Sequence, residues 1–362
     1  MLTLEGFAKQ YLYGARLFGG VDVSFGDGEV VAVLGGEGSG KTSFLKALCG
    51  AEKAEGKVLL DGAPIARRTD DVIMVFDDGA VFGHRTVYDN LAYPLVLRKT
   101  DRAEIASRVI NAAERMGIGA CLNMRARALS PVERRRMSLA RLLVRDARLC
   151  MIDEPAARLT REDADAVFRD FLPVVRDLAA AGATVIYSTP YREEAFAASD
   201  RTVVLVGGEV KQTGTREELL YAPASVWAAE AADPDYNVLK CVLSDENGRL
   251  KLVFGEDDEL DAECLRGRTE ESYTGKEVLV GWHPESAAAS GEAARKTEST
   301  TLAVGDAFGV VLHSVSGIKE RCGKKRGFVH VRPDISGVTL FDRTNECSIM
   351  KRAKEGTEGE EE

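Results

Sequence analysis

Gly35-Gly36-Glu37-Gly38-Ser39-Gly40-Lys41-Thr42 follows the apolar run Val30-Val31-Ala32-Val33-Leu34 and leads into the helical run Ser43 to Cys49. The octet fits G-x-x-x-x-G-K-[ST] in the strand–loop–helix setting that gives the pattern its meaning. Glycines let consecutive backbone N–H groups curl around an anion, and the helix that follows adds the positive end of its dipole. The reading predicts a nucleoside triphosphate site built from Gly35, Gly36, Gly38, Ser39, Gly40, Lys41, Thr42 and Ser43. Lys41 is expected on the β- and γ-phosphates and Thr42 on a Mg²⁺ ion.

Four more short apolar runs lie around this one: Val72 to Phe76, Leu149 to Ile152, Thr184 to Tyr187 and Val203 to Val206. None alternates polar with apolar, which suits strands buried on both faces of a mainly parallel sheet. Helical patterns such as Ala103 to Met116 and Glu133 to Val144 fall between them, so the order is α/β. In open α/β sheets ligands gather at the carboxyl ends of strands. Asp153-Glu154-Pro155 stands at such an end. Asp153 is suited to hold Mg²⁺ through water, and Glu154 to polarise an attacking water as a base.

Past Asp233-Pro234-Asp235 the texture changes to short β-type segments: Leu250 to Phe254, Glu277 to Gly281, Val310 to His313 and Phe328 to Val331. They predict a small all-β barrel or sandwich. Ser286 to Thr300, rich in Ala, Ser and Glu, reads as a loop, and the Glu-rich end from Glu355 to Glu362 as a solvated, disordered tail.

With 362 residues the chain favours two domains. A hydrophobic share of 45% and a charged share of 29% exclude collagen-like, low-complexity and wholly disordered chains. Lys and Arg total 48 against 58 Asp and Glu, a net charge of −10, which weighs against nucleic acid as a partner. The apolar runs fall far short of the ~20 residues that span a bilayer, and no secretory signal opens the chain. A cytosolic protein, peripheral to a membrane at most, is expected. Seven cysteines, scattered and odd in number with no C-x-x-C pair, indicate neither a disulfide framework nor a zinc site.

Taken together, these motifs resemble the ATP-binding subunits of ABC transporters, of the maltose/glycerol-phosphate/polyamine importer type, over nearly the whole chain. In that resemblance Tyr11 (or Tyr13) looks like the aromatic that stacks on adenine. Val75 to Phe82 and on through Val87-Tyr88-Asp89-Asn90 looks like the loop that touches the permease. Leu129-Ser130-Pro131-Val132-Glu133 occupies the signature position, ahead of Ser138-Leu139-Ala140-Arg141. Gly281-Trp282-His283-Pro284-Glu285 and Leu340-Phe341-Asp342 resemble parts of an OB-like regulatory domain. The resemblance implies a P-loop ABC ATPase domain over 1–234, with a helical subdomain at about 85–145. A β-rich OB-like domain over 237–350 and an acidic tail over 351–362 would follow. It implies ATP and Mg²⁺ as ligands, and ABC permease subunits, engaged through their coupling helices, as partners. A solute-binding protein would act indirectly, and a homodimer or a heterodimer with a second ATPase subunit would lie on the cytoplasmic face of the plasma membrane. The cargo would be a sugar or glycerol phosphate, or alternatively a polyamine or metal.

The sequence also departs from that family. Asp77 stands where a Gln is expected; it either binds Mg²⁺ or points to solvent and starts a turn with Asp78-Gly79. Pro190 replaces the switch His after the strand ending at Ser188, and offers neither a side-chain donor nor an N–H. At the signature, Ser130 reads as an N-cap, Pro131 as the first helical residue and Glu133 as the closing member of a capping box. That cap puts a carboxylate where a partner's γ-phosphate would approach. Ala157 and Thr160 replace a Ser and an Asp in the loop past Glu154. The expectation is retained nucleotide binding with slow hydrolysis; the alternative is a regulatory subunit that binds without hydrolysing. An ABC protein acting on DNA or ribosomes fits poorly, because one ATPase half and an acidic balance speak against it. Arg134-Arg135-Arg136 reads as a solvated helix face, and Trp227 and Tyr236 as packing residues.

Overall fold

The computed structural model describes residues 1–10, 16–65, 70–77, 81–254, 258–283, 287–290, 301–304, 308–311, 330–333 and 338–351. The chain opens on β1 (Leu2–Gln10), β2 (Arg16–Phe25) and β3 (Val30–Leu34), followed by α1 (Lys41–Leu48). Then come β4 (Glu55–Leu60), β5 (Ala63–Pro64) and β6 (Val72–Val75). A helical insert of α2 (Val87–Leu97), α3 (Arg102–Arg115) and α4 (Pro131–Ala140) separates β6 from β7 (Leu149–Ile152). The first half ends with α5 (Arg161–Ala180), β8 (Thr184–Thr189), α6 (Arg192–Ala198), β9 (Arg201–Val206) and β10 (Glu209–Gly214).

All five apolar runs enter one six-stranded sheet of order β10-β9-β3-β8-β7-β6, parallel except for β10. β3, β7 and β8 are buried along their whole length, which is why their sequences show no polar alternation. Alternate residues face opposite cores. Val30, Ala32, Leu34, Cys150, Ile152 and Tyr187 join a core shared with the insert and α5. Val31, Val33, Leu149, Met151 and Ile186 join a second core with α1. That second core is closed by an antiparallel sheet of order β2-β1-β4-β5, which the sequence reading did not anticipate. Register shifts after Leu4 and Phe7 break the alternation of β1 that would have betrayed it. Phe7 stacks on Phe18 at 5.2 Å, and Phe44 of α1 meets both edge-on. All three rings are fully buried, at about 2–3 kcal/mol of transfer free energy each, so they seat the helix that follows the phosphate loop.

The chain divides into two compact units, Met1–Arg216 and Glu217–Glu362, whereas the sequence reading placed the domain boundary at 234. The second unit contains most of α7 (Arg216–Tyr221), then α8 (Val226–Ala232), β11 (Asn237–Glu246), β12 (Arg249–Phe254), β13 (Asp258–Asp261) and β14 (Glu277–Trp282). Two pairs follow, β15 (Ala287–Ser290) with β18 (His330–Pro333) and β16 (Thr301–Val304) with β17 (Phe308–Val311), and then β19 (Thr339–Asp342). The unit is β-rich, as expected, around an antiparallel sheet of order β13-β12-β11-β14-β19. One expectation fails: Ala287–Ser290, read as loop, is a strand, because pairing with β18 supplies what its Ala/Ser composition lacks. Residues 291–300, His313, Phe328 and the acidic end beyond 351 lie outside the described residues. Tyr236 packs on Phe341 as predicted, but Trp227 is 46% exposed, because α8 turns Val226, Ala229 and Ala232 inward instead.

Candidate functional site

The phosphate loop runs from the carboxyl end of β3 to α1. Gly35 is obligatory: a Cβ there would lie 2.3 Å from the Leu205 carbonyl oxygen and 2.5 Å from Ser39 Oγ. Gly40 caps α1 at φ 99°, a conformation that favours glycine, and no side chain spends the N–H groups at that helix start. Lys41 is buried across the loop; its Nζ donates to the carbonyl oxygens of Gly35 at 2.8 Å and Gly36 at 2.9 Å. The same ammonium lies 3.2 Å from Glu154 Oε1. Thr42 and Ser43, both half-buried, occupy the first turn of α1. Ser39 Oγ is buried with no hydrogen-bond partner among the described residues.

β7 delivers Asp153 and Glu154 beside this loop. Asp153 is fully buried; Oδ1 accepts from Ser188 Oγ at 2.7 Å, while Oδ2 has no partner among the described residues. Ser188, at the end of β8, also accepts from the Glu154 backbone N–H at 3.0 Å, so one hydroxyl sets both acids. Glu154 adopts φ 44° ahead of Pro155, a left-handed conformation that costs a β-carbon residue about 1–2 kcal/mol. Such strain is kept where neighbouring contacts over-determine it.

Those contacts come from a residue misread in the sequence. Arg135 of α4 is 4% exposed, not part of a solvated face. Its Nε donates to Pro155 O at 2.7 Å, Nη1 to Phe76 O at 2.9 Å and Asp77 O at 3.2 Å, and Nη2 to Asp153 O at 2.8 Å and also to Glu154 O. Burial pushes the guanidinium down to about 10, against the pull of Asp77, Asp153 and Glu154, so it stays charged at neutral pH. A signal was present: Arg135 shares its helix face with the buried Ser138 and Leu139.

The departures have local explanations. Asp77 lies in a turn, and its carboxylate accepts from Arg158 Nη2 at 2.6 Å. Asp78, Gly79 and Ala80 lie outside the described residues, as does Tyr11. Pro190 lines a cavity of about 180 Å³ with Glu154, Arg158, Tyr191 and Glu194. Burial raises the Glu194 carboxyl, and its carboxylate accepts from Thr189 Oγ1.

At the signature position the capping box forms as predicted. Ser130 Oγ accepts from Glu133 N at 3.3 Å and donates to Glu133 Oε2 at 2.8 Å, and Glu133 Oε2 accepts from Ser130 N at 2.8 Å. Ser130→Ala should cost about 1 kcal/mol, read as a lower urea midpoint at unchanged m-value. Hydrogen bonds from Ser130 hold the Glu133 carboxyl below the usual range. A lowered folded-state value means the carboxylate's contribution is present above the unfolded pKa and is lost as pH falls through the folded one. The urea midpoint of wild type should therefore fall more steeply with acid than that of Glu133→Gln; equal slopes refute the assignment.

Further along, Asn90 fixes the segment entering α2: Oδ1 accepts from Phe82 N at 2.8 Å, and Nδ2 donates to Thr86 O at 2.8 Å. Phe82, 38% exposed, meets Tyr93 edge-on at 5.0 Å with the Arg85 guanidinium over it. Among the described residues no cluster of His, Cys, Asp and Glu could hold a metal by itself, and no helix is long and apolar enough to cross a membrane.

A glycine loop at the end of a central parallel strand, a buried lysine and an Asp–Glu pair at the end of the next strand but one define a P-loop nucleoside triphosphatase. The ABC transporter family profile matches residues 18–157. The sn-glycerol-3-phosphate import ATP-binding protein UgpC of Vibrio vulnificus is 35% identical over 70% of this chain and 68% of its own length. The trehalose/maltose import ATP-binding protein MalK of Thermococcus litoralis is 31% identical over 92% of this chain and 87% of its own. The solved structure of cbiO1 from Clostridium perfringens, part of the ABC transporter complex cbiONQ, superposes with a TM-score of 0.53 at 27% identity. It covers 60% of this chain and 89% of that one. The chain belongs to the ATP-binding subunits of ABC transporters, and is a P-loop ATPase of that family.

Proposed function

We propose that this chain binds ATP·Mg²⁺ and drives an ABC importer with slow hydrolysis, as one of two ATPase subunits beneath separate permease subunits. The observation that carries the reading is the contrast between the two sides of the site. On the binding side, Ser39 Oγ and Asp153 Oδ2 are buried without partners, as groups awaiting a phosphate and a metal would be. On the γ-phosphate side, position 190 is a proline, and Ser130 and Glu133 satisfy each other.

Residues 35–40 would wrap the β-phosphate, and Lys41 would exchange its Glu154 contact for the β- and γ-phosphates. Thr42 and, through water, Asp153 would hold Mg²⁺, which supplies charge neutralisation between phosphate oxygens. Glu154, released from Lys41, would orient water and take its proton. Asp77, committed to Arg158, stands aside. The exposed Phe82 and its neighbours would receive permease coupling helices. The UgpC and MalK names favour a sugar or glycerol phosphate as cargo, delivered by a solute-binding protein. The subunit would sit on the cytoplasmic face of the membrane, with the β-rich unit as an OB-like regulatory domain.

The purified chain should bind a fluorescent ATP analogue in a Mg²⁺-dependent manner. Turnover by the chain alone at the rate usual for the family would refute slow hydrolysis. In the assembled transporter, a residual rate that falls with Glu154→Gln supports the reading, and one indifferent to it favours a purely regulatory subunit.

A further inference from the structure

Asp77, after β6, and Arg158, four residues past Glu154, are 81 positions apart, yet they form an ion pair, and Arg158 lines a cavity together with Glu154. Asp77 cannot drift from that place. Its carbonyl accepts from Arg135 Nη1 at 3.2 Å while the Asp153 carbonyl accepts from Nη2 at 2.8 Å, so the two peptides meet on one guanidinium. Three carboxylates, on Asp77, Asp153 and Glu154, therefore gather at the ends of β6 and β7. Arg135 cannot neutralise Asp77 by direct contact, because its donors are all spent on carbonyl oxygens. Lys41 is turned to the loop carbonyls and Glu154. Arg158 supplies the charge that the Asp77 carboxylate requires, from a backbone at φ 63°. The two side chains are 69% and 35% exposed, so their contact adds little to stability; its effect is to place charge.

We propose that Arg158 is a positioning residue of the nucleotide site: it holds the Asp77 carboxylate away from the metal side, leaving Asp153 to present its unpartnered oxygen there. The proposal deepens the function given above and rests on it. Once released, Asp77 adds negative charge near the phosphates, so nucleotide without metal binds less well and a divalent cation restores it.

The test measures binding of a fluorescent ATP analogue by the full chain with and without Mg²⁺, and takes the ratio of the two Kd values. Arg158→Ala should raise that ratio about fivefold, the size expected of one partly screened charge. With Asp77→Asn already in place, Arg158→Ala should move it by less than about twofold, because no charge remains to be released. Arg158→Lys, which keeps the cation, should restore the wild-type ratio. Equal shifts in both backgrounds, or none in either, overturn the proposal, provided circular dichroism shows the variants folded. Wild-type protein that takes up no analogue overturns the nucleotide reading itself, and this role with it. Wild-type binding with a failed cycle overturns the role of Arg158 alone.

Discussion

Lys41→Ala should lower the affinity for an ATP analogue by about 100-fold or more, equivalent to roughly 3 kcal/mol, as expected for a charge-assisted contact in a desolvated site. Two effects add. The ammonium that would meet the phosphates is lost, and so are its bonds to the Gly35 and Gly36 carbonyls, which hold the loop open for an anion. Equilibrium binding with the fold verified by circular dichroism decides the matter. An affinity within about fivefold of wild type would remove Lys41 from the site.

The second large effect belongs to Arg135. Arg135→Met keeps much of the side-chain volume but leaves the carbonyls of Phe76, Asp77, Asp153 and Pro155 without their donor, and that of Glu154 with the Ala157 N–H alone. Buried acceptors deprived of a charged partner cost about 1–3 kcal/mol each before relaxation, so a loss of about 3–5 kcal/mol is expected in urea denaturation. Arg135→Lys should recover little, since a point ammonium cannot reproduce the planar fork. A loss below about 1 kcal/mol would show that water replaces the guanidinium without penalty.

What was legible in the sequence was what is local. The octet at 35–42 carries its own geometry, and five short apolar runs without alternation suit strands covered on both faces. The cap at Ser130 needs three neighbouring residues and no others, so it too was visible in advance. What escaped depends on distant partners. The antiparallel sheet exists because β1 pairs with both β2 and β4 through bulges. Ala287–Ser290 is a strand only because residues near 330 lie beside it. Asp77 acquires its meaning from Arg158, and Arg135, in a run of three arginines, from carbonyls on two strand ends. Composition around such residues describes a surface; only the tertiary fold says otherwise.

The Arg135 guanidinium of α4 has a mechanical consequence. The helical insert leaves the sheet after β6 and returns at β7, yet its last helix is riveted to the tips of both strands by five hydrogen bonds from one side chain. Any tilt of the insert must either drag Asp77, Asp153 and Glu154 along or rupture that joint, so a push on the outlying helices reaches the acidic residues as a stiff lever rather than through a slack tether.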